Sequence, residues 1–511
     1  MTYQRPGIYI NESLLPAAIN TEGTADAAGA AIGVFAQGPT AVTRVTSWYD
    51  FVRTFGGYDA AYPATFGIGS FFKNGGSELY VRRVVHSDAA KATATLVEEG
   101  DTPEVATIEA VSFGTEGNNL RIQLERVGTT SYHNLSVYKE GTANNSGTLA
   151  GDTLLERYTN VVFDAPTSGD FVETVVNLNS KYITISVVAD NTALPSLAIL
   201  PLTGGLDGTT PVAGDYLGTS NSVLAEFEIL NRPLVVFVPE VIAQLGATDG
   251  QTVLDEVVGW AGLNNAFVVI DTDQALDGTA PNLTVAQALS YAAGFQESSH
   301  AAVYYPNVYI SDPVGRSNAS LRKIGPAGAV AGLYLSTDRE VGPFKAPAGV
   351  GAQLRGVVAL EKAFTSAELD SLNASTAPVN AIRNLPGAGV VVMGARTLLQ
   401  DGTANKYVNM RRSLIYIKEQ LSDITTFALF ENNDERLWAK LRTSVASFLN
   451  DYRNQGGLRG TTPQQAFYVK CDAENNSTNA IANGEVHIEV GVALQYPAEF
   501  VVINLSQTTG V

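Results

Sequence analysis

Apolar and polar residues alternate, cluster and recur along this chain in stretches of different texture. Near the start, YQRPGIYINES sets Ile8 and Ile10 in alternation with Tyr9 and Asn11. Pro6 bars a helix there, so the spacing predicts an extended strand. No hairpin partner follows, because residues 12–33 are rich in Pro, Gly and Ala. At the far end, EFVVINLSQ (499–507) predicts a second strand. A strand at each end, neither with a partner beside it in sequence, either closes the chain on itself or reaches into a neighbour.

Between them the pattern changes several times. SWYDFVRTFGG has Trp48, Phe51, Val52 and Phe55 at helical spacing, closed by Gly56 and Gly57. ELYVRRV (78–84) predicts a strand. From about 90 to 202 come short alternating runs (NNLRIQLERV, HNLSVYKEG, TNVVFDA, YITISVVAD) separated by turn residues, the pattern of an all-β sandwich. LTGGLDGTT (202–210) reads as a linker out of it. RPLVVFVPE and AFVVIDTD are continuous apolar runs of the kind buried on both faces of a parallel sheet. TVLDEVVGWAGL lies between them, with Val253, Leu254, Val257, Val258 and Ala261 on one helical face. LTVAQALSYAAGF predicts another helix and HAAVYYPNVYI another strand, so 204–379 reads as a layered α/β domain. Further on, NMRRSLIYIKEQL predicts a helix. In NDERLWAKLRTSVASFLNDYRNQGG, the residues Leu437, Leu441, Val445, Phe448, Leu449 and Tyr452 form one apolar stripe. Asn433 or Asp434 can cap its start, and Gly456 and Gly457 can end it. GEVHIEVGVAL and EFVVINL then predict two strands separated by QYPAE.

Composition narrows the chemistry. A chain of 511 residues has room for about three domains, and 45% hydrophobic with 16% charged residues describes a folded protein. The net charge of −19 argues against bulk phosphate binding and leaves room only for a local basic site. Cys471 is the single cysteine and reads as a buried free thiol, which predicts folding in a reducing cytosol. The start shows no secretion-signal pattern, and the apolar run at 27–36 is too short to span a bilayer. Phosphate-loop and H-E-x-x-H motifs are missing. GAGVVVMG (387–394) reads as turn glycines before a strand, and GPAGAVAG (325–332) as glycines that let a helix pack closely. VVIDTD is similar to the Asp-bearing strand of subtilisin-type proteases, and GTS (218–220) to a piece of their serine motif. However, Ser220 precedes Asp271, and none of His86, His133, His300 and His487 has the required context. Those histidines are also too scattered for a metal cluster. From 406 to 459, nine Lys or Arg stand against six acids, either a solvated helix face or a contact surface for an acidic partner.

Several stretches, in order, resemble the contractile-tail sheath proteins of bacteriophages and related contractile injection systems. They are RPGIYINE, PFKAPAG (343–349), VNAIRNLPGAGVVVMGARTL (379–398), NMRRSLIYIKEQL, FENNDERLWAKLRTSVASFLNDYRNQGGLRGTTPQQAFYVKCD (430–472) and EVGVALQYPAEFVVINL. Met393 stands where many relatives have Trp. The resemblance implies a multidomain α/β and β fold. Its expected parts are an exported arm (1–20), the first part of an inner domain (21–90) and an inserted β-sandwich (91–203). A subtilisin-like α/β layered domain (204–379), an inner C-terminal α+β domain (380–495) and a second exported arm (496–511) follow. It also implies a structural subunit, not an enzyme and without cofactor or metal. Such a subunit forms helically stacked hexameric rings around an inner tail tube protein, bounded by baseplate and tail terminator proteins. It is held extended and metastable, then contracts to drive the tube through a target envelope. The expected place is the virion tail, assembled in host cytoplasm, with no membrane or nucleic-acid contact.

In such sheaths the terminal strands add to a small sheet of neighbouring subunits. Here these would be Gly7, Ile8, Tyr9, Ile10, Asn11 and Glu12 at one end and Phe500, Val501, Val502, Ile503, Asn504 and Leu505 at the other, with 484–492 among the receiving strands. On the 434–454 helix, Arg436, Lys440, Thr443, Ser447 and Asn454 project away from the apolar stripe and are the tube-facing candidates. A static filament or surface-layer protein, and an α/β hydrolase with an accessory sandwich, are the alternatives; the missing histidine motif argues against the hydrolase.

Overall fold

The structure is a computed structural model that describes residues 27–499 except 100–102, 142–148, 150, 189–193, 231, 273–281, 316–319 and 400–402. Both predicted terminal strands, 7–12 and 500–505, therefore lie outside the described residues.

All six residues of β1 (Ala28–Gly33) are buried. It pairs in parallel with β3 (Leu79–Arg83), which in turn pairs antiparallel with β2 (Thr43–Val45). On its other side β1 runs parallel to β11 (Leu234–Phe237), and β12 (Ala266–Asp271), β13 (Ala301–Tyr305) and β17 (Val379–Leu385) continue the parallel sheet. An antiparallel strand, β18 (Gly389–Val392), ends it, giving the order β18-β17-β13-β12-β11-β1-β3-β2. Residues 28–83, expected as part of an inner domain, thus lie in the same sheet as 234–392, and the expected boundary at 380 falls inside β17. Alanine and glycine carry little strand signal of their own. The 28–33 stretch becomes a strand because neighbours on both sides and helices on both faces close over it.

Period-two alternation sorts these strands between two cores. Leu234, Val236, Val268 and Ile270 pack with helices Ser222–Glu228, Ala247–Leu263 and Val285–Ala292 on one face. Val235, Phe237, Phe267 and Val269 pack with helices Trp48–Phe55, Ala64–Lys73 and Ala327–Glu340 on the other. The five apolar positions read from TVLDEVVGWAGL are all buried. On the second face two helices meet through glycine. A Cβ at Gly328 would stand 2.2 Å from the Gly67 carbonyl oxygen, and one at Gly332 2.2 Å from that of Phe71. The GPAGAVAG glycines serve close packing, as expected. In GAGVVVMG, Gly387 and Gly389 sit at positive φ in the turn from β17, and the valines are β18 itself.

The sandwich contains β4 (Lys91–Val97), β5 (Glu104–Phe113), β6 (Leu120–Arg126), β7 (His133–Lys139), β8 (Thr153–Val161), β9 (Ile183–Val187) and β10 (Ile199–Pro201). Sheets β4-β5-β9 and β10-β6-β7-β8 face each other over Ile108, Ile122, Val137, Phe163 and Ile185. A helix at Val172–Asn179, absent from the sequence reading, adds Val172 and Val176 to this core. The 202–210 stretch does more than link, because Leu206 bridges to Ala90 and Thr203 to Thr93, clasping the two ends of the insertion together. Beside that clasp the buried Arg83 guanidinium donates to the carbonyls of Phe35, Ala36, Gly38 and Phe113, and burial pulls its pKa down to about 10.

HAAVYYPNVYI is two strands, not one, since Pro306 offers no N–H to a ladder. After it β14 (Val308–Ser311) joins a small sheet with β15 (Leu321–Ile324) and β16 (Val357–Leu360). The C-terminal region contributes helices Val408–Thr425 and Glu435–Asn454 and the antiparallel pair β19 (Phe467–Lys470) and β20 (Glu489–Val492). Among the described residues no helix is long and apolar enough to cross a membrane.

Replacing Gly328 with Ala tests the helix contact. Alanine in a helix interior normally gains about 0.8–1 kcal/mol over glycine. Here the methyl would meet backbone, and overpacking of about 1–3 kcal/mol outweighs the gain. Gly328→Ala should therefore lower the urea midpoint, and a midpoint equal to or above the parent's would show that the helices do not meet there.

Candidate interaction surfaces

The protease-like residues are not assembled into a triad. Ser220 lies in a left-handed turn (φ 54°) ahead of the Ser222–Glu228 helix. His86 bonds Asp215 (2.7 Å), His300 bonds the Ala266 carbonyl (2.9 Å) at the opposite end of β12 from Asp271, and His487 bonds Glu485 (3.0 Å). His133 is buried in the sandwich against Phe163. Asp271 instead shares its end of the sheet with Glu240, and Ala327 N–H donates to it while Gly325 N–H donates to Glu240. Burial, with Asp271 next, pushes the Glu240 pKa well above the carboxylate range. Desolvation raises Asp271 to about 7, although the residue retains some exposure.

The basic excess between 406 and 459 is not one surface. Arg411 and Arg412 are buried, and Arg412 makes a bidentate pair with buried Asp338 on the Ala327–Glu340 helix, its guanidinium 4.6 Å from the Tyr334 ring centre. Arg442 donates to the Cys471 carbonyl and Arg453 to that of Thr461. Cys471 itself is buried and free. On the Glu435–Asn454 helix the Asp434 carboxylate caps the Arg436 and Leu437 N–H groups at 3.0 Å, and Gly456 (φ 89°) follows its end. Leu437, Leu441, Val445, Leu449 and Tyr452 are buried and Phe448 partly so, with Trp438 joining the stripe. Arg436, Lys440, Thr443, Ser447 and Asn454 are all exposed on the opposite side. Lys440 lies 4.0 Å from the Phe427 ring centre, which fixes one end of that polar face.

Two strands alone are marginal in water. The β19–β20 pair persists because Phe467, Val469, Val490 and Val492 pack on the core of Met410, Leu449 and Tyr452. Among the described residues no third strand joins it, so it offers sheet edges for pairing. Just beyond, QYPAE is pinned rather than free. Asn409 donates to the Gln495 carbonyl (3.0 Å), Gln495 donates to that of Leu458 (2.6 Å), and Tyr496 lies between Tyr407 and Arg459. Glu499 receives Arg396 through both oxygens (2.7 and 3.0 Å), while Arg396 also donates to the Asn373 carbonyl.

Residues 400–508 match the phage tail sheath C-terminal domain family. Over its length the chain superposes on the sheath complex of an extracellular contractile injection system in the contracted state, at TM-score 0.54 and 20% identity, covering 99% of both chains. The fold is that of the contractile-tail sheath proteins. A sheath tail protein from Listeria innocua agrees at TM-score 0.62 and 14% identity, covering 93% of this chain and 97% of that one. In sequence, the tail sheath protein of Vibrio phage KVP40 is 29% identical over 184 residues, 36% of this chain. This chain spans about a quarter (26%) of that relative's length. The stretch of the sheath fold matched by the family model holds the two long helices, the β19–β20 pair and the pinned segment up to Glu499, and it runs on past the described residues into 500–508.

Arg396 and Glu499 form a clamp at the C-terminal end of the described residues. Loss of such a bidentate, half-buried pair costs about 1–1.5 kcal/mol, roughly tenfold in a local opening equilibrium. Glu499→Gln should therefore raise the initial rate of chymotryptic cleavage at Phe500 about tenfold. A rate equal to the parent's would mean the clamp does not hold this segment.

Proposed function

We propose that this chain is the structural subunit of a contractile tail sheath. It polymerises as helically stacked hexameric rings around an inner tail tube protein, with baseplate and tail terminator proteins at its ends. It is held in a metastable extended state and contracts to drive the tube through a target envelope. The observation that carries this reading is the agreement, along 99% of both chains, with a sheath in its contracted state. In this reading the subunit belongs to a virion tail assembled in host cytoplasm, has no enzymatic role, and uses no cofactor. Its large sheet with helices on both faces is a subtilisin-like layer whose protease positions are engaged elsewhere.

Strand exchange connects the subunits. The 7–12 and 500–505 arms add to the β19–β20 pair of neighbours, with 484–492 on the receiving side. Each arm contributes roughly four to six backbone hydrogen bonds at about 0.5–1.5 kcal/mol net. One arm is modest, but every subunit gives two. During contraction the folded domains move as rigid bodies while linker torsions absorb the change. The extended form is then held by a barrier rather than by lower free energy. The exposed polar face of Arg436, Lys440, Thr443, Ser447 and Asn454 meets the tube, through few and salt-sensitive contacts that can be released.

Negative-stain imaging of the assembled protein separates the readings: hollow striated cylinders for a sheath, discrete particles for a hydrolase, sheets for a surface layer. Deleting residues 1–12 should leave a folded, soluble monomer that builds no cylinders. Extended, contractile cylinders from that variant would remove the opening strand as the link between subunits. Separately, Arg436→Glu with Lys440→Glu should abolish assembly on tubes at low salt, and unchanged assembly would make that helix a solvated face.

A further inference from the structure

β11 and β12 are parallel neighbours, so Glu240, just past the first, and Asp271, at the end of the second, arrive at the same edge of the sheet. The start of the Ala327–Glu340 helix comes between them. Gly325 N–H donates to Glu240 Oε1 (3.0 Å), and Ala327 N–H donates to Asp271 Oδ1. A Cβ at Gly325 would lie 2.2 Å from Asp271 Oδ2, so only glycine lets the backbone approach this closely. Glu240, Asp271, Thr272 and Asn307 line one small cavity. Glu240 is 4% exposed and Thr272 3%. Glu240 Oε2 and Thr272 Oγ1 are both buried without a hydrogen-bond partner.

Two acids therefore meet in a confined site with oxygen donors left over. The charge of Arg322 reaches Glu240 and eases its ionisation, but neither Arg322 nor Lys323 is paired with the two acids. Arg322 pairs with Asp312 (3.2 Å) and stacks 4.2 Å from the Phe66 ring centre, and Lys323 pairs with Glu361 (3.4 Å). A buried carboxylate is costly unless it is paired with a cation or coordinates a metal. The donors facing the cavity are oxygens, with no thiolate or imidazole, which is the chemistry of hard cations.

We propose that this cavity is a binding site for a hard divalent cation of the magnesium or calcium class, held by the carboxylates of Glu240 and Asp271 and the hydroxyl of Thr272. No three His, Cys, Asp or Glu gather as a metal site among the described residues, and the cavity of about 10 Å³ has room for little besides the ion, so both carboxylates chelate through both oxygens and at most one water joins them and the hydroxyl. The ion joins the ends of β11 and β12 to the start of the Ala327–Glu340 helix, and so it secures the layer's core rather than its surface.

The test uses the full-length chain, stripped with chelator and dialysed against about 1 mM Mg²⁺ or Ca²⁺, a level at which weak oxygen sites fill. Salt of about 150 mM suppresses diffuse binding to an acidic surface. One equivalent of metal should remain bound, and the thermal midpoint should rise by about 2 °C or more. Glu240→Gln with Asp271→Asn, which keeps shape and removes charge, should fold and lose both effects. Thr272→Val keeps both acids and should weaken binding at least about tenfold, which tests the site even if the double variant does not fold. No bound metal and no shift in the parent would mean that protons alone neutralise the pair, and the proposal falls. Equal binding in parent and variants would overturn it too.

Discussion

A parallel sheet covered by helices on both faces leaves its strands no side on which to carry charge. Here that constraint propagates through the whole α/β layer. Strands β1, β11, β12 and β13 are apolar nearly throughout, and the polar groups they carry are displaced to their ends. Glu240, Asp271 and Asn307 gather at one edge for this reason. The same requirement for close cover explains the glycines, since the Ala64–Lys73 and Ala327–Glu340 helices approach to backbone contact. Small residues in the sheet centre and small residues in the covering helices belong to one packing solution.

Two cations that enter the interior are matched by their surroundings. Arg83 is surrounded by carbonyl oxygens at the root of the sandwich, and Arg412 is paired with Asp338 between the α/β layer and the C-terminal helices. Desolvation pushes the Asp338 pKa up even with Arg412 beside it, so the pair pays for its burial. Such pairs contribute less to stability than their Coulomb energy implies, but breaking one leaves an uncompensated charge inside. They hold modules in a particular register.

Much of this was legible in the sequence where periodicity is strong. The Ala247–Leu263 and Glu435–Asn454 helices follow from their apolar spacing, and Asp434 at the cap from its chemistry. The sandwich follows from short alternating runs and turns. β1 was not legible, because AGAAIG has neither the period nor the residue types of a strand and is defined by its surroundings. The Val172–Asn179 helix was hidden inside an alternating β texture. Arg411 and Arg412 counted toward a basic surface, yet both face inward, since net charge says nothing of direction. The Glu240 and Asp271 pair is far apart in sequence and becomes visible only when neighbouring strands align.

The entry of the chain into β1 has a mechanical meaning. Ala28 N–H donates to Pro233 oxygen where the chain enters β1, and from there β1 lies third from the nearer edge of an eight-strand sheet. Four residues register with β11 and five with β3, both in parallel. A pull on the entering chain along the strand direction would load both ladders in shear, all bonds at once, rather than peel an edge strand open bond by bond. In the proposed assembly, force entering through the chain ahead of β1 would thus pass to the whole α/β layer, and a contact with a neighbour would give way before β1 left its sheet.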